Sequence, residues 1–174
     1  MAQHLLQRKR IRYRDHVLPG DRDVVREIIA SSGFFSAAEV DIAVELVDVR
    51  LAQGLQSGYY FLFAELDGEV VGYTCFGPIP GTLLSYDLYW IAVRPAYQGL
   101  GLGTTLLVRS EQTIVALGGS RIYIETSSRP LYAPTHAFYC ARHYRQEGYL
   151  ADYYAPGDAK VIYVKVFPEL PDIA

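Results

Sequence analysis

The stretch from Tyr86 to Leu107 constrains the fold more than any other part of this sequence. Residues 86–93 are mostly aromatic, aliphatic or β-branched, which favours a strand, and Pro95 ends that strand because proline cannot donate a ladder hydrogen bond. An amphipathic run with helical spacing begins at Thr104. Between the strand and the helix lie three alternate glycines, Gly99, Gly101 and Gly103. The pattern predicts a strand, a glycine turn and a helix.

This order of elements predicts an anion-binding site. The first amides of a helix lack internal partners and carry the positive end of its dipole, and glycines let a phosphate approach the backbone closely. A P-loop is excluded because no lysine occurs from Tyr86 to Val108. A dinucleotide-binding fingerprint is excluded because Thr104 or Leu106 stands where its third glycine belongs. Main-chain amides alone can hold a diphosphate here.

Length and charge bound the class of protein. The chain of 174 residues suits one domain, with a core over residues 11–167 and a loose tail over 168–174. An apolar fraction of 51% can build that core, and with a net charge of −3 and scattered Lys and Arg nothing favours a nucleic-acid footprint. The sequence shows neither a membrane-spanning apolar run nor a signal peptide, and two cysteines are too few for a disulfide framework. We expect a cytoplasmic protein without nucleic-acid or membrane partners.

The segments before the glycine turn predict one strand, two helices and a hairpin. Ile11 to Arg14 has the composition of a strand. Asp21 is expected to cap the first helix, and Ser36 and Glu39, which have the spacing of a capping box, begin the second. Asp67-Gly68 marks a hairpin turn between the second and third strands. The strand that leads into the glycine turn is therefore the fourth.

The segments after the glycine turn complete an α/β (α+β) chain. Arg121 to Thr126 is a fifth strand, reached from the fourth through a helical crossover and therefore parallel to it. A helix over Tyr132 to Tyr144 follows, and a terminal hairpin turns at residues 155–158. The pattern predicts about seven strands and about four helices. Ligands in open α/β sheets bind where adjacent parallel strands end.

The glycine turn resembles the coenzyme A loop of the GNAT N-acetyltransferase superfamily. Gln98, Gly101 and Gly103 fit the family motif Arg/Gln-x-x-Gly-x-Gly/Ala, which lies between the fourth strand and the third helix of that fold. The resemblance implies a mixed sheet with splayed parallel fourth and fifth strands, and acetyl-CoA as co-substrate with no metal. The cofactor-binding residues that it implies are Ile91, Ala92, Val93, Gln98, Gly99, Leu100, Gly101, Leu102, Gly103 and Thr104.

A second likeness to this family lies in the helix after the fifth strand. Phe138-Tyr139 matches the centre of the family pattern, and Tyr144 matches its aromatic end. The resemblance makes Tyr139 the acid that protonates the departing thiolate, and Tyr144 is the second choice. The usual Asn, Ala and Gly of the pattern are replaced by Tyr132, Thr135 and His143.

Acyl transfer to an amine also needs a base, because a lysine-like amine has a pKa of about 10.4. Asp87 lies six residues before Val93, on the strand where several GNAT enzymes carry a glutamate, and it can act through water. Pairing with a surface cation is the alternative role of Asp87. Glu125 is the rival base, since a carboxylate in an otherwise apolar strand is either functional or hydrogen-bonded.

Together these features predict an N-acetyltransferase that moves an acetyl group from acetyl-CoA to a primary amine by direct attack in a ternary complex. The expected partner is a small amine or a protein amino group, and a homodimer is left open. Phe34 and Phe35 either contact this acceptor or form a hydrophobic staple at the entry of the second helix. The alternative function is a non-catalytic acyl-CoA-binding sensor or interaction module, which keeps the glycine turn and dispenses with Asp87, Glu125 and Tyr139.

Overall fold

The computed structural model describes residues 11–168, which form seven strands and four α-helices. The strands are β1 (Ile11–Arg14), β2 (Tyr60–Leu66), β3 (Glu69–Pro78), β4 (Ser85–Val93), β5 (Arg121–Ser127), β6 (Arg145–Ala155) and β7 (Asp158–Val166). The helices are α1 (Asp21–Ser31), α2 (Ala37–Gln53), α3 (Leu102–Ala116) and α4 (Ala133–Cys140). The predicted tail lies outside the described residues from residue 169 onward.

The strands form one mixed sheet in the order β1-β2-β3-β4-β5-β7-β6. β4 and β5 are parallel, and their paired register joins Ser85–Asp87 with Arg121–Tyr123. The other recorded pairings, β1 with β2, β2 with β3, β5 with β7 and β6 with β7, are antiparallel. The predicted fold class, a mixed seven-stranded sheet with parallel fourth and fifth strands, is confirmed. The last strand in the described chain lies inside the sheet, between β5 and β6.

Two compact units divide the described chain. The first unit comprises the described residues up to Gly77 together with Trp90–Thr113. The second unit comprises Pro78–Tyr89 together with the described residues from Ile114 onward. The single-domain organisation expected from length stays a prediction. Among residues 11–168, no helix combines the length and the apolarity needed to cross a membrane.

The first unit has apolar clusters on both faces of β2. Phe61 and Phe63 belong to one cluster with the buried faces of α1 and α2, while Leu62 and Ala64 belong to another with Leu106 of α3. This division follows from the two-residue period of a strand, which sends successive side chains to opposite faces. Each fully buried aliphatic or aromatic side chain contributes about 1.5–3 kcal/mol relative to exposure. Both faces of the strand are therefore stabilised, which explains why β2 is apolar apart from Glu65.

The two N-terminal helices begin in different ways. The predicted capping box of α2 is confirmed, because Ser36 accepts from the Glu39 amide and the Glu39 carboxylate accepts from the Ser36 amide. The prediction that Asp21 caps α1 is wrong, since the N-cap is Gly20. Asp21 is buried, and its carboxylate accepts hydrogen bonds from the Arg14 guanidinium at 2.7 Å and 2.8 Å and from the Leu18 amide at 2.7 Å. A buried ion pair thus replaces the expected cap.

The second unit is built around β5, β7 and β6. β7 pairs with β5 from Lys160 to Val166, and its pairing with β6 is irregular between Leu150 and Ala155. Asp152 within this irregular segment has φ of 54°, and its carboxylate accepts a hydrogen bond from the Gly157 amide at 2.6 Å. The bulge turns the segment 151–154 out of the regular ladder. Helix α4 ends at Cys140, earlier than the predicted Tyr144.

Candidate active site

The glycine turn of the first unit joins β4 to α3 through tightly specified geometry. Gly99 and Gly101 have φ of 74° and 82°, in the left-handed region that disfavours side chains with a Cβ. The Gln98 side-chain amide donates to the Val93 carbonyl at 3.1 Å, so this residue closes the turn on the end of β4. Helix α3 then begins at Leu102, whose side chain is buried in the apolar cluster of the first unit. The strand, glycine turn and helix predicted from the sequence are therefore present in the structure.

The amides of this turn are placed to bind an anion. Outside the helices and strands of residues 11–168, no backbone hydrogen bond is donated by the amides of Gly99, Leu100 or Gly101. A Cβ built at Gly99 or Gly101 meets no atom within 4 Å. The turn stands at the N-terminus of a helix of 15 residues, where the helix dipole favours negative charge. The predicted residues from Gln98 to Thr104 thus lie together, in the turn and the first turn of α3, and their binding of a diphosphate stays a prediction.

The end of β4 supplies the other residues predicted to bind the cofactor. Ile91 and Val93 pack against the cluster on the α3 side, and Ala92 packs against the cluster on the α1 and α2 side. Gly72 of β3 permits this packing, because a Cβ there would be 2.9 Å from the Ala92 carbonyl oxygen. Sequence reasoning missed this role of Gly72. A glycine inside an apolar strand was the available signal, since it often marks a close backbone approach.

A charged cluster in the second unit contains both predicted bases. Glu125 forms an ion pair with Lys160 of β7, with 2.6 Å between Oε2 and Nζ. Asp87 is half-buried on β4, opposite Tyr123 of β5 in the paired register. Burial above all, and then the Glu125 charge, raise the pKa of Asp87 to about 6, against the lowering effect of Lys160. Asp87 therefore changes protonation near neutral pH, as a general base requires.

Lys160 and the two tyrosines beside it were missed in the sequence. The Lys160 Nζ lies 3.9 Å from the centroid of the Tyr153 ring and 6.0 Å from that of Tyr154. Burial lowers the pKa of Lys160, but hydrogen bonds to Glu125 and Tyr153 outweigh it and raise that pKa, so the lysine stays charged. A lysine at the start of an apolar strand was the only local signal. It became informative only when the strand order placed β7 beside β5.

Tyr139 lies in an aromatic cluster of the second unit. Its ring centroid is 5.3 Å from Phe138, 5.7 Å from Tyr144 and 6.0 Å from Tyr163. Burial raises the pKa of Tyr139 well above its ordinary value, so the phenol remains protonated at neutral pH. A protonated phenol is the form that can give a proton to a thiolate. Tyr144 is also buried, so both candidates for the acid are brought together.

Phe34 and Phe35 lie between α1 and α2. The Phe35 ring is half-buried against the core of the first unit and meets Trp90 edge-on, with 5.0 Å between centroids. Val40 belongs to the same cluster, at the fourth position of α2, as a hydrophobic staple requires. Phe34 is half-buried, with its ring 6.3 Å from Phe35. Among residues 11–168, no group of three His, Cys, Asp or Glu side chains is arranged to hold a metal ion.

Comparison with known proteins identifies the family. Residues 29–144, more than half of the chain, match the model of the acetyltransferase (GNAT) family. The chain belongs to the GNAT family. A crystal structure of a GNAT-family protein from Desulfovibrio desulfuricans is similar over 90% of this chain and 99% of that one, with 43% identity and a TM-score of 0.89. The resemblance drawn from the glycine motif is thereby confirmed.

Two further solved structures are similar in fold. One is an aminoglycoside 6'-N-acetyltransferase complexed with coenzyme A, at 18% identity over 94% of this chain and 99% of that chain, with a TM-score of 0.72. The other is the ribosomal-protein-S18-alanine N-acetyltransferase from Escherichia coli, at 17% identity over 95% and 99%, with a TM-score of 0.74. These neighbours in fold are thus an enzyme named for an aminoglycoside and one named for an alanine of a ribosomal protein.

Proposed function

We propose that the protein transfers an acetyl group from acetyl-CoA to a primary amine of a small molecule or a protein. The observation that carries this proposal is the glycine turn of a GNAT chain, in which the amides from Gly99 to Gly101 donate no backbone hydrogen bond outside the regular elements of residues 11–168. An anion with several oxygen atoms can accept from these amides, and there is open space where a Cβ of Gly99 or Gly101 would lie. The diphosphate of coenzyme A is such an anion, so the residues present fit this co-substrate.

The proposal gives Asp87 the role of general base. When bound, acetyl-CoA supplies a thioester carbonyl, and the acceptor nitrogen forms a bond to that carbon while the carbon–sulfur bond breaks. An acceptor that arrives as an ammonium ion loses two protons in becoming an amide: one is released to water, and the other goes to the Asp87 carboxylate, directly or through water. Since its pKa is about 6, Asp87 is mostly ionised at pH 7 and above and can receive this proton. Glu125 is less suited, because its carboxylate is already bound to Lys160.

Tyr139 is proposed as the acid that returns a proton to the departing sulfur. Its phenol is protonated at neutral pH because burial disfavours the phenolate. The surrounding rings hold it in place, so the hydroxyl loses little freedom when it donates. Direct attack with Asp87 as base and Tyr139 as acid needs no nucleophilic side chain of the protein. Cys140, the residue after Tyr139 on α4, is exposed.

The proposed acceptor is cationic at neutral pH. With Asp87 ionised, the charges of Asp87 and Glu125 outweigh that of Lys160, so the cluster is negative overall and favours an ammonium group, which the half-exposed ring of Tyr154 can contact. One neighbouring enzyme is named for an aminoglycoside acceptor and another for a protein alanine, so both classes of amine belong in any test. Phe34 is the proposed apolar contact to the acceptor, while Phe35 chiefly packs against Trp90.

Acetyl-CoA consumption with a panel of amines tests the proposal. The panel contains polyamines, aminoglycosides, amino acids and lysine peptides, and calorimetry measures coenzyme A binding in parallel. We expect coenzyme A to bind and at least one amine to be acetylated, with mass spectrometry locating the new amide. Tight coenzyme A binding without turnover on any amine would instead support a non-catalytic acyl-CoA sensor. No binding of coenzyme A would contradict both functions.

A further inference from the structure

The Lys160 ammonium is held at the centre of the charged cluster by several independent contacts. Its side chain is 10% exposed, whereas that of its partner Glu125 is 47% exposed. The Lys160 backbone is opposite Ser127 of β5 on one side and Leu150 of β6 on the other. Its ammonium lies over the Tyr153 ring and within 2.6 Å of the Glu125 carboxylate. Backbone pairing and side-chain contacts therefore fix the lysine in one place.

The ion pair distinguishes the two carboxylates of the cluster. A buried ammonium without a partner is unfavourable, so Lys160 and Glu125 hold each other in place. In the described part of the chain, no ion pair joins Asp87 to a cation within 4.0 Å. Glu125 is thus occupied, while Asp87 keeps its oxygens available. The asymmetry is created by a residue on a third strand, β7, rather than by either carboxylate.

We propose that Lys160 is a positioning residue for acetyl transfer: by holding Glu125 in an ion pair, it leaves Asp87 as the carboxylate that receives the proton of the acceptor amine. This inference rests on the proposed acetyltransferase function and adds to it a residue that does not touch the reacting atoms. The lysine acts through Glu125 and through its own charge. A variant that keeps the positive charge should therefore keep the effect.

The signs of the electrostatic effects make the inference specific. Lys160 lowers the pKa of Asp87 and Glu125 raises it, both in addition to the larger raising effect of burial. Removing the lysine charge therefore raises the pKa of Asp87, and removing the glutamate charge lowers it. The charged and titratable groups that interact within the cluster are Asp87 on β4, Glu125 on β5, Tyr153 and Tyr154 on β6, and Asp158 and Lys160 on β7; Arg129, after β5, pairs with Asp158, and Tyr123 of β5 lies opposite Asp87 in the strand register.

The test is the pH profile of kcat/KM for matched variants, each checked for folding by its melting curve. In Lys160→Met the acidic limb should move to higher pH by about one unit, and in Glu125→Gln it should move to lower pH. Lys160→Arg keeps the charge and should keep the wild-type limb. The double variant K160M/E125Q loses both opposing charges and should return near the wild-type position. A uniform loss of activity with unmoved limbs, or shifts of the same sign in both single variants, overturns the inference.

A measurement without turnover separates this inference from the proposed function. The carboxyl carbon of Asp87, followed by NMR in the protein alone, should show a titration midpoint that rises in Lys160→Met and falls in Glu125→Gln. If K160M fails to fold, the fall in E125Q and the unchanged midpoint in K160R carry the test. If an amine is acetylated but the Asp87 midpoint is the same in all variants, the inference about Lys160 is overturned and the proposed function stands. Moved midpoints with no turnover on any amine overturn the proposed function and still support the coupling of Lys160 to Asp87.

Discussion

Burial and neighbouring charge, more than residue type, distinguish the two acidic side chains of the cluster. Asp87 is half-buried with its pKa raised to about 6, whereas Glu125 is exposed and bound to Lys160. The sequence identifies both as candidate bases: Asp87 by its place on the fourth strand, where several GNAT enzymes carry a glutamate, and Glu125 as a carboxylate in an otherwise apolar strand. It cannot choose between them, because the lysine that separates their roles lies far along the chain. Only the pairing of β7 with β5 brings that lysine to Glu125.

We expect Asp87→Asn to lower kcat/KM at pH 8 by about 10²- to 10³-fold, the range for loss of a general base. In the wild type, kcat/KM should fall as the pH drops below about 6, because the carboxylate then becomes protonated. Steady-state kinetics between pH 5 and 9, with saturating acetyl-CoA, measure both effects.

A stability control accompanies the Asp87→Asn variant. The raised pKa means that the ionised carboxylate is less favourable in the folded protein than in the unfolded chain. At pH 8 the neutral amide should therefore melt no lower than the wild type, so lost activity would not come from unfolding. Full activity in this variant together with loss of activity in Glu125→Gln at every pH would assign the base to Glu125 instead.

Tyr139→Phe tests the proposed acid. Phenylalanine keeps the ring contacts with Tyr144 and Tyr163 and removes only the hydroxyl. We expect kcat to fall by about 10²-fold while calorimetry shows an unchanged Kd for coenzyme A. Tyr144→Phe is the matched comparison, since it removes a hydroxyl from the adjacent buried ring. A loss confined to the Tyr144 variant would move the role of acid to that residue.

His143 shows why a departure from a sequence pattern need not abolish the structure. It occupies the glycine position of the family pattern and has φ of 68°, so it adopts the left-handed conformation that glycine would supply. Its amide donates to the Cys140 carbonyl at 3.1 Å, at the end of α4. A non-glycine residue there costs about 1–2 kcal/mol, which the surrounding packing tolerates. The sequence alone shows the substitution but not that the backbone turn persists.

At the scale of secondary-structure elements, the ends of helices and strands that depend on neighbouring residues were predictable, and the roles of buried polar residues were not. The capping box of Ser36 and Glu39 and the hairpin turn at Asp67-Gly68 depend on neighbouring residues alone, and both occur as predicted. Asp21 was assigned a local role, yet it pairs with Arg14 on a different element. Local signals therefore predict where elements begin and turn, while buried polar residues require the tertiary fold.

Gly101→Ala tests the glycine turn as an element. Alanine at φ of 82° strains the backbone, and its methyl group narrows the approach to the first amides of α3. We expect the Kd for coenzyme A to weaken on the order of tenfold, similar to the loss of one hydrogen bond to a charged group. Isothermal titration calorimetry of the folded variant measures this change.

Gly118→Ala is the matched control for the glycine turn. Gly118 has φ of 90° just beyond the other end of α3, and a Cβ there meets no atom within 4 Å. Both variants should lose on the order of 1 kcal/mol in free energy of unfolding. Only Gly101→Ala should weaken coenzyme A binding. Equal weakening in the two variants would show that general destabilisation, and not the turn, is responsible.

At the scale of the whole molecule, strand order separates what the sequence predicts from what it leaves undetermined. The number of strands, the hairpins and the parallel pair follow from periodicity, turn residues and the helical crossover between β4 and β5. The place of β7 between β5 and β6 does not follow from those signals. That placement assembles the charged cluster. The sequence therefore predicts the two carboxylates as candidate bases but does not predict that Lys160 lies beside them. The glycine turn was predictable because all its residues are consecutive.

Ligand-induced stabilisation tests the proposed diphosphate site in the intact protein. Coenzyme A at about 100 times its Kd should stabilise the fold by about 2.7 kcal/mol, which for a chain of this length raises Tm on the order of 5–10 °C. Pantetheine, which lacks the diphosphate, should produce a much smaller shift at the same concentration. Thermal melts followed by circular dichroism compare the two. Equal shifts from both compounds would contradict binding through the turn amides.

The interior position of β7 also affects the order in which the sheet and the charged cluster are completed during synthesis on the ribosome. A chain that has emerged only as far as β5 already carries the glycine turn and both carboxylates, but lacks Lys160. Its Asp87 and Glu125 charges then repel each other without a counterion, and the edge of β5 that β7 will cover remains open to other chains. When β7 emerges and pairs with β5, it covers that edge, and its Lys160 supplies the positive charge that compensates the two carboxylates.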